Sequence, residues 1–301
     1  DVVVLPSPTF DMDKTIFRSL EGKLGRAIMR DRLAIDLYWS DKAIAKIEEA
    51  FNSVPRAVPI DRPLLDFMYD ECNFAMEHAD GSFMDHLRFV YEYSSVHFAG
   101  HSPRVMLLHS IMGVGTNFFP MDVSLVPKLS SLVTDVEMKH IEAFPSFLRL
   151  VFHGTLLEEL RRCISVEGIK GIRLHRVIDN KEIYLNAEEM WVQLNYQLIH
   201  LMDFLPVANW KMEVDNYMLL TFVQLHKIMT ERQKLAAHVD FDLSLASDQS
   251  PKKPITLGGL ITKTLPSSIK KSLGRTSIEK FSSKIGHSLN YELQWQPLAK
   301  L

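Results

Sequence analysis

The sequence predicts an all-α protein: a single irregular helical domain with a basic C-terminal extension. Apolar residues recur at helical spacing through most of the first 240 positions, and Gly, Pro and Asp punctuate them into short segments. Charge divides the chain into an acidic body and a basic end. With 301 residues, 47% apolar and 24% charged, the chain is long enough for a sizeable core and too apolar for disorder.

Residues 1–15 read as an apolar, Pro-punctuated arm. Phe17, Leu20, Leu24, Ile28 and Leu33 hold a helical period up to Asp36, and a second helix is expected from Ser40 through Ile44, Ile47 and Phe51, stopped by Pro55 and Pro59. Further helices are expected over 63–77, 83–98 and 103–112. The last starts from a Ser cap with Pro at its first position and closes in a glycine turn over 113–117. Helices follow near 135–164, 187–204 and 214–236. Ile169–Ile183, with Gly, Asp-Asn and β-branched residues, has the features of a short hairpin. These spans place one helical domain over 16–205 and an additional helical segment over 206–240. Residues 241–301 read as a linker and a tail, the tail striped by Ile269, Leu273, Ile278, Phe281, Ile285 and Leu289.

The tail carries Lys252, Lys253, Lys263, Lys270, Lys271, Arg275, Lys280 and Lys284 against Glu279 alone, a charge of +7. Because the whole chain is at −3 and residues 291–301 cancel, the first 249 residues carry −10. A basic tail of this kind is expected to contact an acidic surface, either anionic lipid or an acidic protein partner. Nucleic acid is not expected, since the body would repel a phosphate backbone and the tail lacks interleaved aromatics. Two cysteines among fourteen methionines point to a reducing compartment. No run of 18 uncharged apolar residues is present.

Chemistry-bearing patterns are sparse. His78, His86, His97, His101 and His109 cluster in sequence, and imidazoles ligate zinc or iron. However, Gly100 and Ser102-Pro103 break the helix that would align His97 with His101. Gly113-Val114-Gly115 stands at a helix end, where the dipole repels an anion, so a C-cap turn is the better account. Neither GxSxG nor SxxK occurs, and Glu158-Glu159 and Glu188-Glu189 are adjacent residues that point to different sides of a helix.

Over about residues 30–160 the chain resembles the coenzyme Q biosynthesis family of the Coq-four type. The matching blocks, in order, are Arg62-Pro63; Gly81-Ser82-Phe83 with Leu87-Arg88-Phe89; Leu108-His109 with Gly113, Thr116 and Asn117; and Lys139, Glu142 and Ala143. The resemblance implies a helical mitochondrial protein on the matrix side of the inner membrane. That family's metal motif is HDxxH with a Glu twelve residues past the second His. Here only His109 is kept: Val105 replaces the first His, Met106 the Asp and Met121 the Glu, with Asp122 one residue away. Two ligands do not make a zinc or iron site, so no metal and no other cofactor is expected. The resemblance and its lost ligands imply a non-catalytic, supernumerary subunit of a mitochondrial inner-membrane complex, such as the ATP synthase or a respiratory-chain complex. Its partners would be other subunits, with anionic lipid or a prenyl lipid as further candidates. The competing expectations are a divergent ubiquinone-biosynthesis enzyme and a prenyl-lipid or quinone-binding protein.

Overall fold

The computed structural model describes residues 38–39, 49, 59–72, 77–78, 81–113, 117, 119–207, 217–239, 246–247, 266, 275–276 and 278–296. The expected N-terminal arm, the helix up to Asp36, most of the helix from Ser40 and most of the linker lie outside these residues.

The architecture is mixed rather than all-α. Helix accounts for 59% of the described residues, and a three-stranded antiparallel sheet accompanies it. In chain order the main elements are α1 (Arg62–Asp66), α2 (Phe83–His97), α3 (Arg104–Leu108), α4 (Val126–Leu132), α5 (Asp135–His153) and α6 (Thr155–Arg162). Strands β1 (Ile169–His175) and β2 (Glu182–Asn186) follow, then α7 (Ala187–Val207), α8 (Tyr217–Glu231) and β3 (Glu292–Trp295). Residues 278–283 form a last helical turn, α9.

The sheet has the order β2-β1-β3. Its first two strands are the expected hairpin, in register from Gly171 opposite Asn186 to His175 opposite Glu182. Ile172, Leu174, Ile183 and Leu185 alternate inward, while Arg173, Glu182 and Tyr184 face out. Gly171 is required at the crossing, because a Cβ there would lie 2.3 Å from the Leu185 carbonyl oxygen. The third strand overturns the all-α expectation. Glu292–Trp295 pairs with β1, more than a hundred residues earlier in the chain, and buries Leu293. The basic extension is therefore in part folded body: Ile278 and Phe281 of α9 are also core residues.

Helix bounds depart from expectation in three places. The segment 63–77 is helical only to Glu71, its second half as a wider π turn over Phe67–Glu71, and Glu77-His78 pairs instead with Gly81-Ser82. The segment 103–112 is α-helical only over α3. Beyond it the amides of Ile111 and Gly113 bond three residues back, to Leu108 and Ser110, which tightens the chain into turns before Gly113 at φ +137°. The expected helix 135–164 is two helices, because Gly154 takes φ +84° between α5 and α6. A further two-residue ladder joins Tyr38-Trp39 to Ala246-Ser247.

α5 and α7 form the centre, packed on each other and, with α2, α3, α8 and β1, around the main core. α5 starts in a full capping box, in which Thr134 Oγ1 accepts from the Glu137 amide and Glu137 accepts from the Thr134 amide. A second core, under α1 and α4, holds Leu64, Phe67, Leu108, Met112, Met121 and Leu129.

Candidate functional site

α3 holds two of the positions that the resemblance would make ligands, and past Arg104 it is buried on every side. Val105, Met106, Leu107 and Leu108 are each at most 1% exposed. A short helix that is apolar all round belongs inside a core. Val105 and Met106 join the main core, whereas Leu107, Leu108 and Met121 join the second, so α3 is the wedge between the two. Thioether and alkyl groups offer none of the oxygen or imidazole donors that zinc or iron needs, so these positions do not fit such a metal.

His109 is the residue that the resemblance would make a metal ligand. Its Nδ1 lies 2.6 Å from the Met106 carbonyl oxygen, which makes Nδ1 the protonated nitrogen and donor. Its ring packs against Phe144 at 4.9 Å and His200 at 4.6 Å. Asp122 does not join it. The Asp122 side chain is exposed and accepts from the Ser124 amide at 2.9 Å, starting a short 3-10 turn over Val123–Leu125. Those hydrogen bonds from Ser124 hold its carboxyl below the usual carboxylate range.

The other histidines disperse. His97 ends α2 with its ring 4.2 Å from Tyr93 and 5.4 Å from His238. His101 stacks on Phe98 at 4.1 Å, and burial holds it below the usual histidine range. The side chains of His78 and His86 lie outside those described. Among the described residues, no group of three or more His, Cys, Asp or Glu comes together to hold a metal.

The structure instead assembles a polar seam that the motif reading missed. α7 contributes buried Gln193, Asn195, Gln197 and His200, and α5 contributes His140. His140 Nδ1 meets Gln193 Oε1 at 3.0 Å; burial lowers its pKa, and the Gln193 bond only partly offsets this. Tyr196 donates to the Ser102 carbonyl oxygen at 2.8 Å, and Gln197 Nε2 donates to that of Phe144 at 3.1 Å. Asn195 is bound at both ends of its amide: it donates to Trp191 and Lys234 and accepts from the amides of Ala236 and Ala237. These bonds tie α7 to α5, the loop ahead of α3 and the segment after α8, so the seam fixes helices in place. Its sequence signal was a row of amides inside an otherwise apolar helix.

A second buried polar cluster joins α5 to the C-terminal segment. Arg149 is 3% exposed. It donates to Asn117 Oδ1 at 2.7 Å and Ser282 Oγ at 3.1 Å, and its guanidinium lies 4.7 Å from the centre of the Phe281 ring. Burial without a carboxylate among the described residues pushes it down to about 9. His287 donates from Nε2 to the His175 carbonyl oxygen at 2.9 Å, and burial pushes it down to about 4.

Of the basic-tail residues, Arg275 pairs with Glu158 of α6 at 2.5 Å, while Lys280 and Lys284 are exposed. Lys252, Lys253, Lys263, Lys270 and Lys271 lie outside the described residues. No family model matches the chain, and neither a curated protein nor a solved structure matches it. No described helix is long and apolar enough to cross a membrane.

Proposed function

We propose that the chain is a non-catalytic structural subunit of a mitochondrial inner-membrane complex, such as the ATP synthase or a respiratory-chain complex, built on a scaffold that resembles the Coq-four type. The observation that carries the reading is the fate of the motif. Val105 and Met106 serve as main core, Met121 belongs to the second core, His109 is bonded to the carbonyl of its own helix, and Asp122 faces solvent as a turn cap. Each position has a structural task in place of ligation. The mitochondrial placement and the kind of complex rest on the resemblance of the Arg62-Pro63, Gly81-Ser82-Phe83 and Leu108-His109 blocks.

The test is extraction from mitochondria in mild detergent, native electrophoresis and mass-spectrometric identification of whatever migrates with the chain. Co-migration with subunits of one inner-membrane complex is expected. Migration as a free monomer would overturn the reading. So would elemental analysis finding about one zinc or iron per chain that is lost in His109→Ala.

A further inference from the structure

The loop that joins α6 to β1 presents a side chain in an unusual state. Ile164 is 100% exposed, well beyond any other large apolar residue described, the next being Val136 at 61%. Burying an isoleucine is ordinarily favourable. A single exposed apolar residue is unremarkable when its loop is loose. This loop is held from behind. The Arg232 guanidinium, just past α8, donates to the carbonyl oxygens of Arg161 at 2.9 Å and Cys163 at 2.7 Å, and reaches that of Ile164 at 3.5 Å. The Cys163 amide bonds to Glu159, Ile169 bonds back to Val166, and the Gln296 amide ties the Gly168 carbonyl to the end of β3. The backbone is braced while the apolar side chain points away from the protein.

The surroundings of this tip are basic. Arg161 and Arg162 end α6 and are exposed, Lys170 is exposed at the start of β1, and Arg232 and Lys234 stand behind the loop. The carboxylates near them are engaged. Glu167 lies 3.6 Å from Lys234, Glu158 pairs with Arg275, Glu159 accepts from the Tyr291 hydroxyl and Glu231 lies 3.7 Å from Lys227. On a chain whose first 249 residues carry −10, a local excess of cations gives the surface a direction. Trp295, 42% exposed, lies over Gly168 at the same end of the sheet, and tryptophan favours the headgroup layer of a bilayer.

We propose that the segment Cys163–Gly168 is a membrane-docking tip. Ile164 enters the headgroup boundary of an anionic bilayer, Trp295 settles beside it, and Arg161, Arg162 and Lys170 bind lipid phosphates and carboxylates. A braced apolar tip ringed by cations matches the two components of peripheral binding, a short apolar insertion and attraction to anionic lipid. The surface would serve a free peripheral protein as well as a subunit, so its failure and that of the subunit role are separately visible.

The experiment is co-sedimentation of the full chain with vesicles of phosphatidylcholine, with and without phosphatidylserine. The wild type should bind the phosphatidylserine vesicles and lose binding as salt rises. Ile164→Asp should weaken that binding about tenfold and Ile164→Trp should tighten it, both with unchanged thermal melts, because the position makes no core contact. Arg161→Glu combined with Arg162→Glu should weaken binding by about thirtyfold or more, since two cations are lost and two anions added near the anionic surface. Equal binding to both vesicle types overturns the proposal. So does wild-type affinity in Ile164→Asp, which would assign lipid binding to the basic stretch from Lys252 to Lys284 instead.

Discussion

Met106 shows how a side chain can decide between a site and a core. The resemblance would put a ligand carboxylate here, but the side chain is fully buried in the main core. A carboxylate at this position would not make a site, because Val105 and Met121 are core residues too. Met106→Asp places a charge inside the main apolar cluster, so the variant should lose roughly 3 kcal/mol or more, or carry a neutral carboxyl at neutral pH. Urea unfolding of the variant checks this, and wild-type stability together with bound zinc would refute it. His287 gives a pH-dependent counterpart. Burial is the largest cause of its depression to about 4; the bond to the His175 carbonyl opposes that shift, and the nearby charges of Arg149 and His175 add to it. The unfolded chain takes up the proton near pH 6.5 and the folded chain only near pH 4. Stability is therefore complete above about pH 6.5 and declines as pH falls toward 4, by on the order of 3 kcal/mol. Denaturation midpoints at neutral and acid pH should show this slope, flattened in His287→Gln. An equal slope in the variant would remove His287 as its source.

At the scale of elements, legibility followed locality. The start of α2 at Phe83, the hairpin and the span of α7 could be anticipated because each is specified by its own short stretch of residues. The break between α5 and α6 was missed because Gly154 sits inside a continuous apolar period, and only its left-handed backbone shows the turn. The Gly154 amide still bonds to the Leu150 carbonyl, so the helix is closed rather than frayed, and α6 departs in a new direction. Any residue with a Cβ is strained there. Gly154→Ala should cost about 1–2 kcal/mol, well beyond the few tenths expected of an exposed helical Gly→Ala change, which normally stabilises. A variant at or above wild-type stability in thermal melts would mean that α5 and α6 can merge into one helix. The role of α3 was only half legible: its apolar character could be read directly, but not its place between two cores, which depends on residues as distant as Leu64 and Val239.

At the scale of the molecule, the acidic-body and basic-tail division describes charge and misdescribes the fold. Composition beyond residue 241 resembles a solvated tail, and a four-residue strand with one fully inward side chain gives almost no periodic signal. Ile278, Phe281 and Leu293 are nevertheless each under 8% exposed, and β3 covers one edge of β1. Arg149 depends on the same segment: Ser282 supplies an acceptor and Phe281 the ring beneath the guanidinium. Glu158, Glu159 and His153 on the body all bond to it, through Arg275, Tyr291 and Glu279. Deleting residues 278–301 would therefore do more than remove charge. It would expose a strand edge, uncover the apolar surface beneath three core side chains worth about 5–8 kcal/mol gross, and leave a buried cation short of partners. That loss is comparable to the whole stability of an ordinary domain, about 5–15 kcal/mol. The truncated chain should aggregate or melt without cooperativity, which gel filtration and near-ultraviolet circular dichroism check. A monomeric, cooperatively melting 1–277 fragment would return the segment to the status of a solvated extension beside a body that keeps its β1-β2 hairpin.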